Sequence, residues 1–255
     1  MGARLGQHFL FDPFILGRIA DAALLTRTDT VLEIGPGKGT LTRELARRAG
    51  RVIAIETDRQ LAASLADEMT GSNVTVTQGD ALKVPWPAAD VIAGNIPYQI
   101  TSPLIGRALL SPRPKRIVFL MQREVADRLA AAPGDDDYGA LTAGVRLVAT
   151  VERLFGVKAG AFRPPPRVES AVVRITPLVR PLVRGDDDEA AAKWMIQSLF
   201  QRRRQQVQRS LREASGLEAA AVLALLEMVG IAPQTRPEQL SAAQFVALAR
   251  LARPA

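Results

Sequence analysis

The chain has 255 residues, 47% hydrophobic and 23% charged, enough to bury the core of one large domain with an appendage or of two modest domains. It has no cysteine and a single histidine, which excludes disulfides, thiolate catalysis and cysteine-ligated zinc and leaves no basis for a histidine-built metal site or triad. A formal net charge of +7, carried mostly by arginine, points to a polyanionic partner, although a GC-rich genome also yields arginine.

No apolar run approaches the ~20 residues that a membrane span needs. The opening MGARLGQHFLFDPF lacks the apolar core and cleavage site of a signal peptide, so a cytoplasmic protein without a membrane partner is expected. Phe14, Ile15, Ile19, Ala22 and Ala23 recur at helical spacing after Asp12-Pro13, which predicts a helix start there. Gln7 to Leu10 therefore sit just ahead of a helix. His8, taken by itself, reads as a partly buried polar residue.

Residues 31 to 58, VLEIGPGKGTLTRELARRAGRVIAIETD, are the stretch around which the chain is organised. Val31, Leu32 and Ile34 form a run too short for a helix, closed by Gly35-Pro36-Gly37, and read as a buried parallel strand. Gly37 and Gly39 let the backbone approach a ligand with no Cβ in the way. Leu41, Leu45 and Ala49 follow at helical spacing, and Arg51 to Ile55 is a second strand with Glu56 at its carboxyl end, where ligands of open α/β sheets bind. A dinucleotide site wants G-x-G-x-x-G, whereas here Gly35, Gly37 and Gly39 alternate and Thr40 takes the third-glycine position. With an acidic residue placed to bond a ribose, the turn resembles the S-adenosylmethionine turn of class I methyltransferases. A dinucleotide site and a plain strand-to-helix turn remain open on these residues alone.

Leu61, Leu65, Ala66 and Met69 predict a helix, and Val74 to Thr77 a third strand ending in Gly79-Asp80-Ala81. Asp80 either accepts from an adenine amino group or simply forms the turn. Asp90 to Ala93 predicts a fourth strand that runs into Gly94-Asn95-Ile96-Pro97-Tyr98. The exocyclic amine of adenine is a poor nucleophile because its lone pair is conjugated into the ring. A site accepting from both N–H groups, through the Asn95 side-chain oxygen and a backbone carbonyl such as that of Ile96, favours a pyramidal nitrogen. Pro97 stiffens the turn, and Tyr98 offers a face on which an extruded base stacks. An ordinary strand-ending turn uses the same residue types.

Further on, Ser102 to Leu110 reads as a helix, Ile117 to Met121 as a fifth strand, PGDDDY at 133–138 as a solvated loop without function, and Gly139 to Ala149 as a helix. Val151 to Val157 and Ser170 to Ile175 read as two late strands that complete a seven-stranded sheet, joined by a Pro-stiffened loop containing Phe162. Thr176 to Asp188, with Pro177, Pro181 and the acidic run Asp186 to Glu189, reads as a linker. Beyond it the pattern is all helical. Leu199, Phe200, Val207 and Leu211 give one apolar stripe, with Arg202, Arg209 and Arg212 opposite; this face is either solvated or laid against RNA phosphates.

GQHFL, EIGPGKG, the E-x-D of Glu56 and Asp58, GDA, NIPYQITSP, MQREVADRL and FRPPPRVESAVVRI, in this order, resemble the rRNA adenine N(6),N(6)-dimethyltransferases of the KsgA/Dim type. A weaker likeness continues through LFQRRRQQVQRSL to RPEQLSAAQFVALARLA. The resemblance implies an α/β fold, a class I methyltransferase Rossmann-like sheet, with a small all-helical carboxyl-terminal domain. The expected boundaries are 1–178 for the cofactor-binding catalytic domain and 179–255 for the helical RNA-engaging domain. It implies S-adenosylmethionine as cofactor, S-adenosylhomocysteine as product and no metal. The cofactor contacts fall on Gln7, His8, Leu10, Gly35, Gly37, Glu56, Asp80, Ala81 and Asn95. Asn95, Ile96, Pro97 and Tyr98 hold the target adenine, with Phe162 lining its pocket opposite Tyr98. RNA contacts are expected at Arg202, Arg203, Arg204, Arg209 and Arg212. The implied reaction is dimethylation of two adjacent adenines near the 3′ end of small-subunit rRNA, by a monomer acting on a 30S-type assembly intermediate. A large-subunit rRNA methyltransferase of the macrolide-resistance type and a non-catalytic ribosome-assembly or transcription factor are the alternatives. Two departures stand out: the family usually has asparagine at the position of His8, and its arginine-arginine-lysine-threonine stretch is Arg202-Arg203-Arg204-Gln205 here.

Overall fold

The computed structural model describes residues 8–252; Gln7 and the side chain of Tyr98 lie outside what is described. In chain order the elements are β1 (Phe9–Leu10), α1 (Pro13–Ala22), β2 (Thr30–Ile34), α2 (Thr40–Ala46), β3 (Arg51–Glu56), α3 (Arg59–Glu68), β4 (Val74–Gln78) and β5 (Val91–Asn95). They continue with α4 (Thr101–Ala108), β6 (Arg116–Gln122), α5 (Arg123–Ala130), α6 (Ala140–Arg146), β7 (Ala149–Val157), β8 (Phe162–Arg163) and β9 (Ser170–Pro177). Four helices close the chain: α7 (Asp186–Phe200), α8 (Val207–Ser215), α9 (Ala219–Met228) and α10 (Ala242–Leu251).

The seven-stranded sheet has the order β4-β3-β2-β5-β6-β9-β7, and β1 pairs with β8 in a separate ribbon. β2 runs parallel to β3 and β5, β3 to β4 and β5 to β6, while β9 is antiparallel to β6. From β2 the chain winds outward through β3 and β4, then returns to start β5 on the other side. The crevice beyond the carboxyl ends of β2 and β5 is thus the switch point of the sheet, the place where such sheets bind ligands. β2, β5 and β6 are covered on both faces, so their interior residues are buried and read as continuous apolar runs. The core of this layer joins Ile19 of α1, Leu45 of α2, Val31, Val52, Val91, Val118 and Leu120 of the strands, and Leu10 and Phe162 of the ribbon. Each such aliphatic side chain contributes about 1.5–3 kcal/mol by leaving water.

Local chemistry sets the element ends. Asp12 caps α1 by accepting from the amides of Phe14 and Ile15 at 2.9 and 3.2 Å, and Asp58 caps α3 in the same way from Gln60 and Leu61.

The chain divides into two compact units, residues 1–126 with 151–177, and residues 127–150 with 178–255. One break falls after Pro177, and residues 127–150 group with the carboxyl-terminal helices, although Ala149 and Thr150 already open β7. The reason is tertiary: the Leu178 and Leu182 amides bond to the Val148 and Leu147 carbonyls at 2.8 and 2.9 Å, and the Gly134 amide bonds to the Glu238 carbonyl at 2.8 Å. Three further expectations are corrected. The acidic run Asp186 to Glu189 is the first turn of α7 and complements the positive end of its dipole. The stripe from Leu199 to Leu211 spans two helices, because the chain turns between Phe200 and Val207. The 133–138 loop is solvated from Pro133 to Asp137 as expected but anchored at its end, where Tyr138 is fully buried, its ring 6.1 Å from that of Phe200, which stacks on Phe245.

Candidate functional site

A cavity of about 270 Å³ lies at the switch point, lined by His8, Phe9 and Leu10, Glu33 to Gly37, Thr40, Glu56, Asp80, Ala81 and Asn95 to Pro97, among others. The sequence therefore brings together the glycine turn, three strand tips and the NIP segment, each from a separate element. Gly39 ends the turn at φ 71°, a left-handed conformation that favours glycine, and a Cβ there would also push on Leu65 Cδ1 at 2.3 Å.

Glu56, almost wholly buried, splits its carboxylate between two backbone donors: Gly37 N to Oε2 and Asp58 N to Oε1, both at 2.9 Å. It thus holds the glycine turn against the tip of β3. A carboxylate has about four acceptor sites, so capacity for two hydroxyls remains. Asp80 both lines the cavity and forms its turn, Oδ1 accepting from the Leu82 amide at 2.9 Å. Its Oδ2 faces Lys83 Nζ at 3.6 Å.

The segment ahead of α1 is fastened over this crevice. The Leu10 carbonyl accepts from Thr40 Oγ1 at 2.8 Å, and the His8 carbonyl accepts from Asn95 Nδ2 at 2.9 Å. That bond fixes the Asn95 amide, with the NH₂ spent on the protein and Oδ1 left as acceptor. The His8 backbone thus meets Asn95, while its ring Nδ1 donates to the Pro164 carbonyl at 2.8 Å. This is compatible with histidine standing where the family has asparagine.

Glu33 is the residue that the strand pattern hid. It is 1% exposed, lines the cavity, and its Oε2 has no hydrogen-bond partner. Burial pushes its carboxyl up to about 8; the Thr42 hydroxyl opposes the shift and the Glu56 charge adds to it. An ionisable residue inside the apolar run VLEI was the available signal. Phe9 and Thr40 were also missed, and nothing in their spacing marks them.

Phe162, expected beside the target base, pairs across the ribbon with Leu10 of the cavity wall. It is 2% exposed, packs in the core with Leu10 and Ala161, and is not among the residues lining the cavity. Its pairing with Leu10 across β1 and β8 holds it there.

The five arginines expected to meet RNA differ in circumstance. Arg202 and Arg209 both pair with Glu213, Nε to carboxylate oxygen at 2.5 and 3.0 Å. These bonds, that to Arg209 foremost, hold the Glu213 carboxyl below its ordinary range. Arg203 lines a polar cavity of about 300 Å³ with Asp135, Asp136, Arg236 and Glu238. Arg204 and Arg212 are exposed.

Residues 2–253 match the family described as ribosomal RNA adenine dimethylase. A ribosomal RNA small subunit methyltransferase A from Gloeobacter violaceus is 40% identical over 252 residues, covering 96% of this chain and 91% of that protein. Among solved structures, a dimethyladenosine transferase from Plasmodium falciparum superposes with a TM-score of 0.83 at 29% identity, covering 94% of this chain and 96% of the other. The 23S rRNA methyltransferase ErmE gives 0.76 at 31% identity, covering 95% and 98%. The matched span takes in every strand and helix described above, and by it the chain belongs to the ribosomal RNA adenine dimethylase family.

Proposed function

We propose that this chain dimethylates the exocyclic amines of two adjacent adenines near the 3′ end of small-subunit rRNA, using S-adenosylmethionine. The Asn95 amide is the observation that carries the proposal. With Nδ2 held by the His8 carbonyl, Oδ1 is the acceptor left at the cavity wall, next to the Ile96 backbone. Two acceptors there suit the two N–H groups of an adenine amine and turn its lone pair away from the ring.

The residues present fit the cofactor. Glu56 retains acceptor sites for a ribose, Asp80 lines the same cavity with a carboxylate suited to an adenine amine, and Glu33, whose Oε2 has no hydrogen-bond partner, lines it too. When bound, S-adenosylmethionine supplies a methyl group on a cationic sulfur. The protein's part is alignment and exclusion of water: Asn95 and Ile96 orient the amine, Pro97 fixes the turn, and Tyr98 provides the stacking face. Phe162, packed in the core, is not assigned to the base. The positive charge of the chain favours an RNA partner, with Arg203, Arg204 and Arg212 better placed for phosphate than the two arginines paired to Glu213.

The test is to incubate the protein with labelled S-adenosylmethionine and small subunits lacking adenine dimethylation, then map modified nucleotides by digestion and mass spectrometry. Dimethyladenosine at two adjacent positions is the expected result. Unmodified small subunits beside methylated large-subunit RNA would overturn the substrate, and no transfer to either would overturn the activity.

A further inference from the structure

A second aromatic surface begins where the cavity wall ends. Phe9 and Leu10 line the cavity; Phe11, the next residue, is 41% exposed and its amide bonds to the Ala161 carbonyl at 3.1 Å. The Arg163 guanidinium lies over the Phe11 ring, 4.4 Å from its centroid. Phe14, at the start of α1, is 70% exposed. Arg18 follows one helical turn later on the same face, 5.7 Å from the Phe14 centroid and 3.7 Å from that of Phe155 on β7.

Uncompensated charge sets these pairs apart from scattered surface apolar residues. Neither Arg18 nor Arg163 has a carboxylate partner among the described residues, so both guanidiniums keep their charge for an outside group. Asp21, the acid nearest Arg18 in sequence, pairs with Arg48 at 3.3 Å, and Asp12 is occupied in capping α1. Aromatic faces flanked by uncompensated arginines suit single-stranded RNA, whose bases stack on rings while arginines meet its phosphates. A protein-docking face of this size would instead want a contiguous apolar centre.

We infer that Phe11, Phe14, Arg18 and Arg163 form a stacking platform for a nucleotide flanking the target adenine, so that one base enters the cavity while its neighbour rests outside on the aromatic pairs. This rests on the adenine methyltransferase reading above. The platform would hold the strand while successive methyls are transferred, and would contribute to RNA affinity but not to cofactor affinity.

The test uses Phe14→Ala, Phe14→Trp, Phe11→Ala and Arg18→Gln on small subunits lacking dimethylation, with cofactor affinity measured separately by calorimetry. Phe14→Ala and Phe11→Ala should each raise KM for the particle about fivefold or more, with kcat and cofactor affinity within about twofold of wild type. Phe14→Trp should hold KM near the wild-type value, which a loss of folding at this position would not allow. Arg18→Gln should make the logarithmic salt dependence of binding shallower by about one unit. Wild-type KM in both alanine variants would overturn the platform while leaving the methyltransferase reading intact. A wild-type protein inert on every rRNA would overturn both, and that result is read from the wild-type reaction alone.

Discussion

At the scale of single residues, the cavity mixes groups that act on ligands with groups that hold the site in shape, and variants can separate them. Asn95→Ala should lower methyl transfer by about 10²–10³ with little change in cofactor affinity, as expected for one preorganised polar group; unchanged turnover would remove Asn95 from the reacting centre. Glu56→Ala should act in the opposite order, weakening cofactor binding first, because the same carboxylate also holds Gly37 and Asp58. A calorimetric titration with wild-type affinity would take Glu56 off the ribose. Glu33 gives a pH signature. Its folded carboxyl is pushed up to about 8 from an ordinary 4.5, so between those values the folded protein keeps a proton that the unfolded chain has released. Stability from this residue is therefore full below about pH 4.5 and is lost as pH rises through about 8. Relative to their difference at pH 4.5, Glu33→Gln should gain on the order of 5 kcal/mol over wild type by pH 8.5, at about 1.4 kcal/mol per unit. Urea unfolding across that range would show it, and parallel curves for the two proteins would refute it.

Elements decide how closely those residues approach one another. β5 carries glycine immediately before Asn95, and a Cβ at Gly94 would lie 2.4 Å from the backbone oxygen of Ile34 on β2. Backbone cannot yield as a flexible side chain does, so the tip of β5 must move. Gly94→Ala should fold with a loss of about 1–3 kcal/mol, the usual cost of overpacking, and lose most transfer because Asn95 shifts with its strand. A variant with wild-type kcat would show that the strand tips are not held in this register. The same elements explain what could be read from the chain beforehand. Apolar runs closed by glycine, and Asp12 and Asp58 ahead of helical spacing, are local signals, and they gave the strands, α1 and α3 close to their observed limits. The acidic run 186–189 misled because a charged turn and the first turn of a helix share composition. Residues 127–150 could not be grouped correctly, since their bonds run to partners such as Leu178 and Glu238, far along the chain. The cavity's lining was legible where motifs marked it, since Glu56, Asp80 and Asn95 all reach one cavity. It was hidden at Thr40 and Phe9, whose roles arise only when β1 is laid over the crevice, and so was the burial of Phe162, which comes from its partner strand.

For the sheet as a whole, the pole opposite the cavity bears a stabilising charge cluster where the strands begin. Lys115, ahead of β6, reaches Asp29 ahead of β2 at 2.8 Å and Asp90 ahead of β5 at 3.0 Å, fastening three parallel strands at one end. Asp29 is 2% exposed; burial alone would raise its carboxyl, but the bonds from Lys115 and Thr26 hold it below its ordinary value. Asp90 is lowered chiefly by the Thr30 amide, with Lys115 assisting. Since both carboxyls are depressed in the folded state, their contribution is full above about pH 4, the unfolded value, and is lost as pH falls through the folded values. Lys115 is half exposed, so solvent screens part of the attraction, and the larger penalty of Lys115→Gln is the uncompensated charge left on buried Asp29. The variant should be less stable than wild type at pH 7, and that difference should shrink as the pH falls through the folded values and the aspartates take up protons. Over the same interval every protonated carboxylate adds to a net charge that is already +7, so wild type itself should weaken by self-repulsion. Added salt should soften that second loss while leaving the difference between wild type and variant at pH 7 largely in place, because the cluster's inner carboxylate is screened by protein and not by ions. Thermal unfolding of both proteins across pH 2.5–7 at two ionic strengths separates the effects, and a difference independent of pH would show that Lys115 acts by packing and not by charge.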